Sequence, residues 1–186
     1  MPGTIHVEKI GHHVSLLTID NPPANAMDAA MLGKLLEEFQ AINDASSARA
    51  IILTGSGNSF CAGVNMGLMA SAYRLPRLIG VARAKAMLLT GSAFDALAVE
   101  RFGVTTQTEP PAALLIAAKN LATRIASRAP LSVEATKRVA SRAMDLDPTA
   151  MRELEKQELP SLRNSNDHQE AVKAFREKRE PIFTRS

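Results

Sequence analysis

The stretch from Ala50 to Gly67 limits what this chain can fold into more than any other. Ala50-Ile51-Ile52-Leu53-Thr54 is short and almost wholly apolar, as a strand buried on both faces is. It runs into a segment containing Gly55, Gly57, Gly63 and Gly67, where a partner can approach main-chain N–H groups closely. A buried strand that hands the backbone to a binding loop is therefore predicted.

The 186 residues, 46% hydrophobic and 22% charged, suit one compact unit with a substantial core. No apolar run approaches the roughly 18 residues of a membrane span, and the first residues lack a charged segment leading into an apolar signal core. A soluble, cytoplasmic protein with no membrane partner is expected. The single cysteine, Cys61, cannot form an internal disulfide, and with only four histidines no metal-ligand cluster has usable spacing. No metal and no redox cofactor are expected.

Charge is unevenly spread. Residues 1–70 carry three basic and six acidic groups, and residues 71–186 carry nineteen and thirteen, so the second part is net basic by six. That excess either favours an anionic ligand or decorates solvated helix faces. With no Trp, one Tyr and no dense Lys/Arg run among aromatics, no nucleic-acid partner is expected.

Taken in order, Thr4–Ile10 and His13–Ile19 read as a β-hairpin, stopped by Pro22-Pro23. After the loop Ala24-Asn25-Ala26, Asp28 caps a helix with Met31, Leu32, Leu35, Leu36, Phe39 and Ile42 on one stripe. The strand Ala50–Thr54 completes a β-β-α-β order. Ser71–Gly80 reads as a turn-and-anchor segment, Val81–Thr90 as a helix closed by Gly91, and Ser92 as the cap of a shorter helix ending near Gly103. Val104-Thr105-Thr106 could make a brief strand. Helices then start at Pro110-Pro111, Ser132 and Pro148, the last broken or bent at Pro160, and Asp167 with Glu170 has capping-box spacing before a final helix.

The loop resembles neither common nucleotide site. Gly55-Ser56-Gly57 is followed by Phe60 where a dinucleotide fingerprint needs its third glycine, and no Gly-Lys-Ser/Thr comes after it. In Phe60-Cys61-Ala62-Gly63 the small residues leave N–H groups accessible to an oxygen that gains negative charge. That is half of an oxyanion hole if a second N–H converges on the same point, and otherwise a tight connection. Cys61 has no nearby His in sequence and reads as a small structural thiol. His6, His12, His13 and His168 form no Ser-His-Asp arrangement.

Four motifs in order resemble the crotonase superfamily, the enoyl-CoA hydratase/isomerase family. They are Asn21-Pro22-Pro23-Ala24-Asn25-Ala26; Ile51-Ile52-Leu53-Thr54-Gly55 into Ser59-Phe60-Cys61-Ala62-Gly63; Arg74-Leu75-Pro76-Arg77-Leu78-Ile79-Gly80 with Leu88-Leu89-Thr90-Gly91; and Phe175-Arg176-Glu177-Lys178-Arg179 to Pro181-Ile182-Phe183. The resemblance implies an α/β fold, a superhelix of ββα turns followed by a helical C-terminal oligomerisation region. It divides the chain into an N-terminal core, residues 1–70, and a mostly helical part, residues 71–186.

It also implies an acyl-CoA thioester as ligand, with coenzyme A part of the substrate and no separate cofactor. By that analogy Ala24, Asn25 and Ala26 hold the CoA arm, and Ala62, Gly63, Val64, Asn65 and Met66 line the substrate site. The Ala62 N–H would be an oxyanion donor, and Phe175 and Lys178 would close over the adenine end, often from a neighbouring subunit. Asn65 stands where the family usually has Asp.

The chain departs from the family between its second and third motifs. There the family has a strand, a glycine-rich helix start that supplies the second oxyanion N–H, and the elements bearing the hydratase glutamates. Here Met69-Ala70-Ser71-Ala72-Tyr73 runs almost directly into Arg74, no Gly-Gly-Gly segment exists, and no Glu occurs between Glu38 and Glu100. The resemblance thus implies a fold truncated in its middle, with no acid/base glutamate identified. Glu100 and Glu109, the nearest beyond the junction, belong to a later helix-and-linker segment. Two functions are expected on this basis: a thioester binder with impaired hydration of 2-enoyl-CoA, or a noncatalytic subunit. Such a subunit would join a homo-oligomer, trimer or hexamer, or a mixed oligomer with full-length paralogues.

Overall fold

The computed structural model describes residues 3–11, 13–63 and 70–186. Its element order opens β1 (Thr4–Lys9), β2 (Val14–Asp20), α1 (Ala29–Asp44), β3 (Ala50–Gly55), the predicted β-β-α-β. The helices α2 (Ala70–Ile79), α3 (Val81–Thr90), α4 (Ala96–Arg101), α5 (Pro111–Ala126), α6 (Pro130–Arg142), α7 (Pro148–Arg163) and α8 (Asn166–Glu177) come next. The chain packs as two compact units, each assembled from segments on both sides of residue 70. One comprises 1–5, 19–36 and 55–119, and the other 6–18, 37–54 and 120–186.

The three strands form one sheet in the order β1-β2-β3. β2 is central and supplies buried Val14, Leu16, Leu17 and Ile19, while β1 is largely exposed along the edge. β3 runs parallel to β2. The Arg49 N–H donates to His13 O at 2.7 Å where the pair begins, and the Ser56 N–H donates to Ile19 O at 2.8 Å where it ends. A parallel neighbour needs a crossover, and α1 is that crossover; Asp28 caps it, accepting the Met31 N–H at 2.9 Å.

Several local expectations are corrected. Ser71–Gly80 is not a turn but most of α2, with Pro76 inside it. The helix forgoes the i→i−4 bond at Pro76, and Arg77 stacks on Tyr73 one turn earlier, 4.1 Å from the ring centre. Gly80, at φ 83°, ends it. α4 is capped by Asp95, which accepts the Ala98 N–H at 2.7 Å, rather than by Ser92. Residues 104–106 form no strand. α7 runs through Pro160 to Arg163, so the proline does not break the helix.

The capping box at Asp167 and Glu170 is also absent. Ser165 caps α8, accepting the His168 N–H at 3.1 Å. Asp167 and Glu170 instead accept from the chain's own tail, so a long-range demand overrode a local pattern.

Candidate functional site

Parallel neighbours end on the same edge of a sheet, and ligands characteristically meet such a sheet beyond the C-terminal ends of its strands. β2 ends at Asp20 and β3 at Gly55, so the loops 21–27 and 56–63 leave the sheet side by side. Ser56 fastens the exit, its Oγ donating to Asp20 Oδ1 at 2.6 Å.

Asn25 is the hub between the two loops. It is 2% exposed and holds a left-handed backbone, φ 57°, a conformation Asn tolerates better than most residues. Its Oδ1 accepts the Asn21 N–H at 2.9 Å, and its Nδ2 donates to Ser56 O at 2.8 Å and to Ser59 O at 2.6 Å. Asn21 Nδ2 donates to Ala26 O, the Ala62 N–H to Ala24 O at 2.9 Å, and the Met27 N–H to Gly63 O at 2.9 Å. Gly55 permits this closeness, because a Cβ there would strike the Ser59 and Phe60 carbonyl oxygens and Asn25 Nδ2.

The residues singled out in the sequence are placed unequally by this lacing. Ala24 and Ala26 offer backbone carbonyls that are already engaged with the facing loop and their own turn. Among the described residues the side-chain hydrogen bonds of Asn25 lie within the loops, so its part is to hold the two loops together. The Ala62 N–H is likewise bonded to Ala24, and an oxygen from a ligand would have to displace that bond. Beyond it, among the described residues, the Gly63 N–H meets Cys61 Sγ at 3.4 Å. Gly63 has φ 132°, which favours glycine, and open space on its Cβ side. Val64, Asn65 and Met66 lie outside the described residues.

Phe175 and Lys178 belong to the second unit. Phe175 is 85% exposed, and Lys178 ends α8 in a left-handed conformation, its N–H donating to Phe175 O at 3.3 Å. The same end of the chain holds a clamp that the sequence pattern concealed. Glu170 takes a two-pronged contact from Arg179, at 2.6 and 3.0 Å, and accepts the Ile182 N–H at 2.9 Å. The Arg179 guanidinium, and then the Ile182 N–H, hold the Glu170 carboxyl down to about 2. Asp167, 1% exposed, accepts the N–H groups of Thr184 and Arg185 at 2.7 and 3.1 Å. Arg49 donates to Phe183 O at 2.7 Å. Glu109 accepts from Gln107 Nε2, two residues away, and Glu100 lies in α4. Among the described residues no three His, Cys, Asp or Glu side chains gather as a metal site, and no helix is long and apolar enough to cross a membrane.

The enoyl-CoA hydratase/isomerase family profile matches residues 9–74 and 64–186. The chain is 30% identical over 166 residues to the enoyl-CoA isomerase/hydratase fer4 of Mycosarcoma maydis, a match covering 88% of this chain and 59% of that protein. It is 42% identical over 115 residues to the (E)-benzylidenesuccinyl-CoA hydratase of Thauera aromatica, covering 59% of this chain and 43% of that one. It thus spans about half the length of these relatives. Its fold is that of the enoyl-CoA hydratase crystal structure from Bacillus anthracis, at a TM-score of 0.91 and 23% identity, over 98% of this chain and 99% of that one. With the profile covering nearly every residue and the fold agreeing, the chain belongs to the enoyl-CoA hydratase/isomerase family.

Proposed function

We propose that this chain binds an acyl-CoA thioester along the surface made by the loops 21–27 and 56–63, and hydrates 2-enoyl-CoA poorly. The observation that carries the reading is the lacing itself. The buried Asn25 amide and the backbone bonds of Ala24, Ala62 and Met27 hold two loops at the C-terminal end of parallel strands as one surface. Because the Ala62 N–H is already bonded, the reading shifts the oxyanion donor beyond Ala62, to Gly63 or the residues after it.

Hydration of a 2-enoyl thioester needs a base to activate water and an acid to protonate the α-carbon, while two N–H groups hold the enolate oxygen. One donor loop is at hand, and no Glu lies between Glu38 and Glu100 to supply acid or base. Losing one oxyanion donor costs about 10²–10³ in rate, and losing a positioned acid/base group about 10²–10⁴. The family profile matches in two stretches that overlap at 64–74, which supports a missing middle. Coenzyme A comes with the substrate, and no further cofactor is invoked.

Thermal unfolding with and without a short 2-enoyl-CoA tests the binding. A ligand present at 100 times its dissociation constant stabilises by about 2.7 kcal/mol, so a rise of several degrees is expected. An unchanged melting temperature at millimolar thioester would defeat the reading.

A second reading has its own support: a noncatalytic subunit in an assembly of crotonase-like chains, with its own kind or with full-length paralogues in the cytoplasm. Phe175 and Ile182 leave apolar side chains uncovered near the end of the second unit, at 85% and 76% exposure, as Leu89 does in the first at 80%. Light scattering of the protein alone and mixed with a full-length relative checks it, and a monomer in both cases would count against it.

A further inference from the structure

No carboxylate side chain occurs between Asp44 and Asp95. α2 and α3 lie within that stretch and expose four cations, Arg74, Arg77, Arg83 and Lys85. Among the described residues no ion pair engages Arg74, Arg83 or Lys85; Arg83 instead stands 5.2 Å from the centre of the Phe102 ring. The two helices pack on each other, with Ile79 and Ala84 buried. Their outer faces carry Leu78 and Val81, each 58% exposed beside Gly80, and Leu89. This hairpin is in the same compact unit as the laced loops, and α2 begins at Ala70, seven residues after Gly63. Seven residues span no more than about 25 Å.

We propose that the α2–α3 hairpin docks an acidic, helical acyl carrier protein, so that the thioester reaches the loop on the carrier's phosphopantetheine arm. The inference rests on the thioester reading above and names a second form in which the substrate arrives. CoA and such a carrier present the same arm and the same thioester, and differ only beyond the arm's phosphate. At that end CoA has a nucleotide, and the carrier has a protein surface rich in carboxylates. A hairpin whose own two helices bear cations and no carboxylate, with Leu78, Val81 and Leu89 exposed, complements the latter in both charge and contact.

Other occupants fit less well. A second copy pairing through this hairpin would set its like charges, Arg74 and Lys85 among them, against their own copies. Nucleic acid would meet the charge and leave Leu78, Val81 and Leu89 without an apolar counterpart. An anionic bilayer would meet both, but gives no reason for the hairpin to come so soon after the thioester loop.

The test uses the full chain and four probes: a 2-enoyl-loaded acyl carrier protein, the unloaded carrier, the matching 2-enoyl-CoA, and vesicles of phosphatidylglycerol with phosphatidylcholine. Calorimetry should show the loaded carrier binding, with affinity falling as salt rises. The double variant R74E/K85E should weaken carrier binding roughly tenfold, because two attractions become repulsions, and leave 2-enoyl-CoA binding unchanged. Both positions are exposed, and unchanged thermal unfolding of the variant confirms its fold.

Binding of 2-enoyl-CoA without binding of the loaded carrier would overturn this inference alone. Loss of both thioesters in the wild type would instead defeat the functional reading. Equal carrier binding by variant and wild type, or capture by anionic vesicles in preference to the carrier, would also overturn the docking surface.

Discussion

Replacing Asn25 by alanine strips the Asn21 N–H and the Ser56 and Ser59 carbonyls of their buried partner in a partly buried site, and asks alanine to hold a positive φ. Each buried polar group left unpaired costs about 1–3 kcal/mol. N25A is therefore expected to lose about 2–4 kcal/mol in urea unfolding, and a loss below about 0.5 kcal/mol would show that the amide is not the hub. Gly55→Ala should act on the same loops by another route, since its Cβ would meet the Ser59 and Phe60 carbonyls, and backbone atoms do not step aside cheaply. Loss of thioester binding with the sheet intact by circular dichroism is the expected signature.

The sequence marked these positions as a loop after Pro22-Pro23 and a glycine-rich turn after β3. It did not reveal that Asn25 ties the two together, because that bond joins residues 31 and 34 apart. Nor did it disclose that the Ala62 N–H is already bonded. Spacing shows which donors are unobstructed by side chains, not which carbonyl faces them.

At the scale of elements, amphipathic stripes and caps made most of the chain legible, and competition for partners made the rest obscure. Asp28 caps α1 as its spacing predicts, whereas Asp167 and Glu170 turn to the tail and leave α8 to Ser165. α2 was hidden by Pro76, which removes one i→i−4 bond and ordinarily marks a helix boundary.

The Glu170 clamp makes a pH prediction with a definite sign. Its carboxyl is held at about 2, below its ordinary 4.5, so its contribution to stability is complete above about 4.5 and is lost as pH falls toward about 2. Thermal unfolding followed from about pH 5 to about pH 2.5 should lose more stability in the wild type than in E170Q, whose side chain does not titrate. Parallel curves would remove the clamp from the account. α7 offers a simpler check. Asp147 accepts the Ala150 and Thr149 N–H groups, so D147A should cost about 1 kcal/mol.

Across the whole molecule, the family and its α/β fold were legible in four motifs in order, and the profile and structural likeness agree with them. The departure from an ordinary hydratase that we propose lies between the second and third motifs, where the sequence passes from Gly63 to α2 with no Gly-Gly-Gly segment and no glutamate. On the proposed reading a thioester is held without those groups, while activation of water and protonation of the α-carbon are slowed. Binding and turnover should therefore come apart, in contrast to a misfolded chain, which would show neither.

Steady-state hydration of a short 2-enoyl-CoA by purified protein, under conditions where calorimetry shows the thioester bound, tests this most directly. Turnover at least about 10²-fold below that of a full-length hydratase is the predicted result. Turnover equal to the full-length enzyme would contradict it and require a second oxyanion donor and an acid/base pair elsewhere in these 186 residues.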